Sequence, residues 1–168
     1  TGSGKTMVFT LPLIMRSLEA EVALPLQSGE GPVGMIISPS RELATQTFQV
    51  AQHFCDFLAR SNKFPEIRPC LCIGGVPLKE QMAVVRRGVH AIIATPGRLN
   101  DHLNKGRFNL DACSYICLDE GDRMLDMGFD TEIQNVFNHF RAQRQTLLFS
   151  ATMPQKFQDF AKIHFWAE

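Results

Sequence analysis

The stretch Tyr115-Ile116-Cys117-Leu118-Asp119-Glu120-Gly121-Asp122 decides the fold. A short apolar, partly β-branched run passes directly into two adjacent acids. Such a run reads as a buried parallel strand, and its end points two carboxylates into the crevice where α/β sheets bind ligands. Asp119 is the kind of group that holds Mg²⁺ on a nucleotide, usually through water, and Glu120 the kind that polarises an attacking water. Taken alone, the pair reads more readily as a solvated strand end or a helix cap.

The first residues change that balance. Thr1-Gly2-Ser3-Gly4-Lys5-Thr6 leads into a helical pattern of Val8, Phe9, Leu11, Ile14, Met15 and Leu18. Gly-Lys-Thr entering a helix is the second half of a phosphate-binding loop. Its glycines let backbone amides approach a β-phosphate, Lys5 supplies charge to the β/γ-phosphates, and the Thr6 hydroxyl ligates Mg²⁺. The first residue of the usual loop and the strand before it are not in the sequence, so the chain reads as a piece of a longer protein that starts inside the motif.

At 168 residues with 45% apolar side chains, the chain can build one domain with a proper core. Zero formal net charge means that any nucleic-acid site must be local. The cysteines Cys55, Cys70, Cys72, Cys113 and Cys117 form no CxxC pair and read as reduced core residues of an intracellular protein. No signal peptide or membrane-spanning run is visible, so no membrane partner is expected.

In chain order, a helix is expected from Lys5 to about Glu21, kinked by Pro12, followed by an exposed loop over residues 25–33. Apolar strands are expected at Gly34–Ser38, Ile67–Ile73, His90–Ala94, Tyr115–Leu118 and Thr146–Phe149. Helices fall between them: from Ser40, an N-cap, to Arg60; from Leu78 to Arg87; from Thr95-Pro96, cap and first residue, to Asn104; and around 122–127 and 130–141. Pro154 opens a last helix. Continuous apolar strands alternating with helices call for an α/β parallel sheet with helices on both faces.

The polar motifs cluster just past the strands. Ser38-Pro39-Ser40-Arg41, Gly74-Gly75, Thr95-Pro96-Gly97-Arg98, Asp119-Glu120 and Ser150-Ala151-Thr152 all lie at carboxyl ends, on the edge where such sheets bind ligands. The helix starts at Ser40 and Thr95 each offer free amides and an Arg in the first turn, and Gly74-Gly75 admits another backbone closely. Together they could track a phosphodiester strand without reading bases, since no aromatic stacking series accompanies them. Ser150 and Thr152 are either capping hydroxyls or a relay between nucleotide and nucleic acid.

The succession TGSGKT (Thr1–Thr6), PSREL (Pro39–Leu43), GG (Gly74, Gly75), TPGR (Thr95–Arg98), DEGD (Asp119–Asp122) and SAT (Ser150–Thr152) resembles the first RecA-like lobe of DEAD-box ATP-dependent RNA helicases. LCIGG, RRGVHAIIATPGRL, DRMLDMGF and QRQTLLFSATMP look most like the Abstrakt subgroup. The resemblance covers essentially the whole chain and implies a RecA-like P-loop NTPase lobe over residues 1–168, with ATP and Mg²⁺ as cofactors. Thr1, Gly2, Ser3, Gly4, Lys5 and Thr6 would cradle the nucleotide; Thr6 and Asp119 would hold Mg²⁺; Glu120 would be the hydrolytic base. Asp122, Ser150 and Thr152 would couple hydrolysis to unwinding. Pro39, Arg41, Gly74, Gly75, Thr95, Pro96, Gly97 and Arg98 would hold one RNA strand by its backbone.

The implied partners are RNA, a second RecA-like lobe of the same parent chain and spliceosomal proteins, and the implied setting is nuclear pre-mRNA processing. Gly121 departs from the family's Ala, with weakened local ordering as the expected effect. Residues 162–168 also depart from the family pattern. A non-enzymatic RNA clamp and a DNA translocase are the competing readings.

Overall fold

Five four-residue strands form the centre of the computed structural model, which describes residues 4–165. They are β1 (Gly34–Ile37), β2 (Pro69–Cys72), β3 (Ala91–Ala94), β4 (Tyr115–Leu118) and β5 (Gln145–Leu148). All pair in parallel, in the order β2-β3-β1-β4-β5. Central β1 sets Ile36 between Ile93 and Cys117. Every residue of β1, β3 and β4 is buried, as strands covered on both faces must be. The edge strand β5 is more open, with Gln145 exposed and the rest half-buried.

Side chains alternate between two apolar layers. On one face, α1 (Lys5–Ala23) and α2 (Arg41–Arg60) bring Phe9, Leu13, Ala44 and Ala51 against Ile36, Ile93 and Tyr115. On the other, α3 (Leu78–Arg86), α4 (Pro96–Asn104), α5 (Gly121–Asp126) and α6 (Asp130–Asn138) pack Val85, Leu99, Met124 and Ile133 against Met35, Ile37, Ile92 and Leu118. α7 (Gln155–Phe165) buries Phe157 and Ala161. Tyr115 pins α1 to the sheet, its hydroxyl donating to the Phe9 carbonyl at 2.8 Å. The close approach depends on Gly34, where a Cβ would fall 2.5 Å from Leu13 Cδ1.

The expected elements are all present, several of them shifted at their ends by one to three residues. Helix α1 runs through Pro12 to Ala23. The loop at 25–33 is not exposed throughout: Gly31, Pro32 and Val33 are buried. Its end is drawn in by Val89 N–H donating to the Glu30 carbonyl and Val33 N–H to the His90 carbonyl, both at 2.9 Å. At Gly31, φ is +93° and a Cβ would collide with the Val89 carbonyl, so turn residues here serve packing instead of solvation. All five cysteines are buried and free.

Candidate functional site

Parallel strands deliver their carboxyl ends to one rim, and the helices after them start there. Along this rim the described candidates sort into two clefts.

The first cleft, about 280 Å³, is lined by Lys5, Thr6, Phe9, Leu43, Asp119, Glu120, Phe149, Ser150 and Ala151. Lys5 and Thr6 open α1 behind Gly4, whose φ of +68° suits a residue without a Cβ. Asp119 follows β4 and is anchored by its N–H donating to the Ile37 carbonyl at 2.9 Å. Burial, and then the neighbouring Glu120 charge, push the Asp119 carboxyl up to about 6. Glu120 itself sits at φ +54°, one of two non-glycine residues with positive φ among those described, and accepts from Arg123 Nη1 at 3.1 Å. Left-handed backbone at a non-glycine position costs about 1 kcal/mol and is held here by surrounding structure. Thr1, Gly2 and Ser3, expected in the same site, lie outside the described residues.

Asp122, Ser150 and Thr152 meet beside this cleft. Asp122 Oδ2 accepts from the Thr152 hydroxyl at 2.7 Å and from its backbone N–H at 2.9 Å. The Asp122 N–H donates to Ser150 Oγ at 3.3 Å, and the Ser150 hydroxyl donates to the Thr152 carbonyl at 2.5 Å. Burial opposes ionisation of Asp122, but the bonds from Thr152, Ser150 and the Arg123 amide outweigh it and hold the carboxyl below the usual range. Ser150 thus caps a first-turn amide of α5, and Thr152 adds bonds to the Asp122 carboxylate. They join the loop after β5 to the first turn of α5.

The second cleft, about 620 Å³, is lined by Pro39, Arg41, Gly74, Thr95, Gly97 and Arg98, with Leu78, Asp101, Arg107 and Phe129. Ser40 caps α2, accepting from the Leu43 N–H at 3.2 Å. Thr95 precedes α4 in extended conformation but makes no side-chain cap, contrary to the expected hydroxyl cap, so the first-turn amides of α4 keep no partner from it. The Arg41 guanidinium lies against Gly74, where a Cβ would fall 2.8 Å from Nη2. Gly75 (φ +93°) and buried Pro96 adjoin lining residues in the chain but do not line the cleft themselves.

Leu78, Asp101, Arg107 and Phe129 escaped the sequence reading because none directly succeeds a strand. Arg107 Nη1 donates to Asp101 Oδ2 at 2.9 Å, and Lys105 also pairs with Asp101. Phe129 places one aromatic ring in a cleft otherwise suited to phosphate. The first turn of α2 borders both clefts, Arg41 facing one and Leu43 the other.

Gly121 is buried at the start of α5, its N–H donating to the Phe149 carbonyl at 2.9 Å. A Cβ there would fall 2.4 Å from Phe157 Cζ and 2.8 Å from Cε2. Beyond the expected effect on local ordering, Gly121 has a packing role: the Phe157 ring occupies the space that a methyl group would need.

Comparison with known proteins gives the same picture. The DEAD/DEAH box helicase family model matches residues 1–160. The DEAD-box ATP-dependent RNA helicase 35B of Oryza sativa subsp. japonica is 59% identical over 162 residues, covering 96% of this chain and 26% of that protein. The ATP-dependent RNA helicase abstrakt of Drosophila melanogaster is 56% identical with the same coverage. The chain therefore spans about a quarter of the length of these relatives. The crystal structure of the yeast DEAD-box splicing factor Prp28 superposes with a TM-score of 0.86 at 28% identity, over 99% of this chain and 38% of that one. With its parallel RecA-like sheet and the DEGD turn at its rim, this chain belongs to the DEAD/DEAH box helicase family.

Proposed function

We propose that this chain is the ATP- and RNA-binding first lobe of an RNA helicase. The carrying observation is that two clefts of different chemistry share one rim, with the Asp122–Thr152 bonds beside one and the first turn of α2 between them. The smaller cleft takes ATP, its phosphates held by the loop ending in Gly4, Lys5 and Thr6. Its donor set suits Mg²⁺. A carboxylate whose ionisation burial disfavours gains from a bound cation, and Thr6, which carries a hydroxyl, lines the same cleft. Among the described residues no group of three His, Cys, Asp or Glu could hold a metal, and Mg²⁺ bound by one carboxylate plus nucleotide phosphates requires none. Bound Mg²⁺ would supply charge neutralisation on the phosphates.

Glu120 orients and deprotonates the attacking water. Its pair with Arg123 is exposed and worth at most about 1 kcal/mol, too little to keep it from that task. The larger cleft holds one RNA strand through Arg41, Arg98, Gly74 and the first-turn amides of α4. Asp122, Ser150 and Thr152 report nucleotide state to that surface. A second RecA-like lobe completes the ATP site, and closure of the pair bends one strand out of a duplex. The likeness to Abstrakt and to the splicing factor Prp28 supports a nuclear role in pre-mRNA processing, among spliceosomal proteins.

The test is RNA-stimulated ATPase in the full-length protein. Lys5→Ala and Glu120→Gln should each abolish it, whereas full turnover in either variant overturns the reading.

A further inference from the structure

Gln81 and His102 are fully polar and almost fully buried, at 2% and 0% exposure, yet neither lines a cleft to which a role has been given. The Gln81 amide nitrogen donates to the Ile73 carbonyl at 3.2 Å and the Val76 carbonyl at 2.9 Å. These carbonyls bracket Gly74-Gly75. The amide orientation is fixed by them, because a flipped Gln81 would set its oxygen against two acceptors. Gln81 Oε1 lies 2.8 Å from His102 Nε2 and must accept, so His102 is protonated on Nε2. The His102 ring stacks on Phe108 at 5.8 Å and 27°.

One side chain therefore ties the Gly74-Gly75 loop to the second turn of α4, whose first turn carries Gly97 and Arg98. Gly74 of the loop and Gly97 and Arg98 of α4 line the same larger cleft. His102 Nδ1 is buried without a hydrogen-bond partner among the described residues, a cost that an apolar ring or a leucine would not carry. A polar link that carries such a cost contributes less to core stability than to the spacing it sets between loop and helix.

We propose that Gln81 and His102 are positioning residues of the polynucleotide cleft, holding the Gly74-Gly75 backbone at a set distance from the first turn of α4 so that both meet successive phosphates of one strand. The inference rests on the RNA reading of that cleft. Neither side chain touches the strand. Both act through the loop and the helix that do.

The experiment uses the full-length protein and a single-stranded oligouridylate, with ATPase KM values for RNA and for ATP measured separately. Gln81→Leu and His102→Leu should raise the RNA KM about tenfold, with ATP KM and RNA-saturated kcat within about twofold of the parent. His102→Gln, which can still donate an amide N–H to Gln81, should recover most of the loss. Unchanged RNA KM in folded leucine variants overturns the proposal, as does a parallel loss of ATP and RNA affinity or a His102→Gln variant no better than His102→Leu. If Gln81→Leu does not fold, the two His102 variants decide the matter. Arg98→Ala is the control for the underlying reading: if it leaves oligouridylate binding intact, the cleft is not an RNA site, an outcome distinct from failure of the positioning role.

Discussion

Thr152 meets one oxygen of Asp122 twice, through its hydroxyl at 2.7 Å and its backbone N–H at 2.9 Å. The bonds tie the loop after β5 to the turn that carries Glu120, so displacement of either segment strains the other. Thr152→Val keeps the shape and the backbone bond and removes one charge-assisted hydrogen bond, worth about 1.5–3 kcal/mol. In the full-length protein it should leave ATP binding unchanged and lower duplex unwinding per ATP hydrolysed. Parallel ATPase and strand-displacement assays check this, and unchanged unwinding yield would remove the coupling role.

Gly74 offers a cleaner probe of the larger cleft than removal of a charge. Its substitution by Ala meets the far end of the Arg41 side chain and not backbone. Gly74→Ala should fold with the parent's melting temperature and bind RNA more weakly by about 1 kcal/mol, roughly fivefold, because the guanidinium is displaced. Fluorescence anisotropy with a labelled RNA reads the change.

Asp119 costs the unliganded fold stability. Its folded carboxyl titrates at about 6, above its ordinary 3.8, so the folded state binds the proton more tightly and loses stability as pH rises through that window. Asp119→Asn should therefore stabilise the nucleotide-free protein at pH 7.5 by about 2 kcal/mol while abolishing ATPase. Urea unfolding of both proteins without nucleotide provides the measurement; a less stable variant contradicts the prediction.

Two buried histidines, His90 and His102, act with the opposite sign. Burial lowers His90, against the opposing bond to Glu21, and burial together with the nearby Arg107 and Arg98 charges lowers His102 to about 4. Both are neutral when folded and protonate readily when unfolded below about pH 6.5, so acid favours unfolding. The stability they leave intact above pH 6.5 is lost as pH falls towards 4, about 2 kcal/mol of it through His102. His102→Gln should flatten the dependence of urea-unfolding free energy on pH between 6.5 and 4.5.

Gly121 and Phe157 form a matched pair, small opposite large. Gly121→Ala alone overpacks the start of α5 and should cost about 1–3 kcal/mol. Combined with Phe157→Leu, the loss should be partly recovered, and the coupling is read from a double-mutant cycle of thermal or urea unfolding.

The sheet and its rim were legible because the buried strands are short apolar runs and the polar motifs within the chain come at or just past their ends, as Leu118 runs into Asp119 and Ala94 into Thr95. Chain adjacency carried that information. Arg107 and Phe129 reach the larger cleft from segments beyond the ends of α4 and α5, where no spacing rule announces them. Gln81 and His102 look like ordinary helix residues until folding sets them 2.8 Å apart. The loop at 25–33 looked solvent-exposed because Gly and Pro signal a turn equally well whether or not Val89 waits beneath it. Phe157 fills the space over Gly121 from a distant helix, and complementary volume leaves no periodicity to read.

Arg41 and Leu43 stand two residues apart in the first turn of α2, one in each cleft. That turn is a party wall. Any displacement of its backbone alters the walls of both chambers at once, although no residue lines the two together.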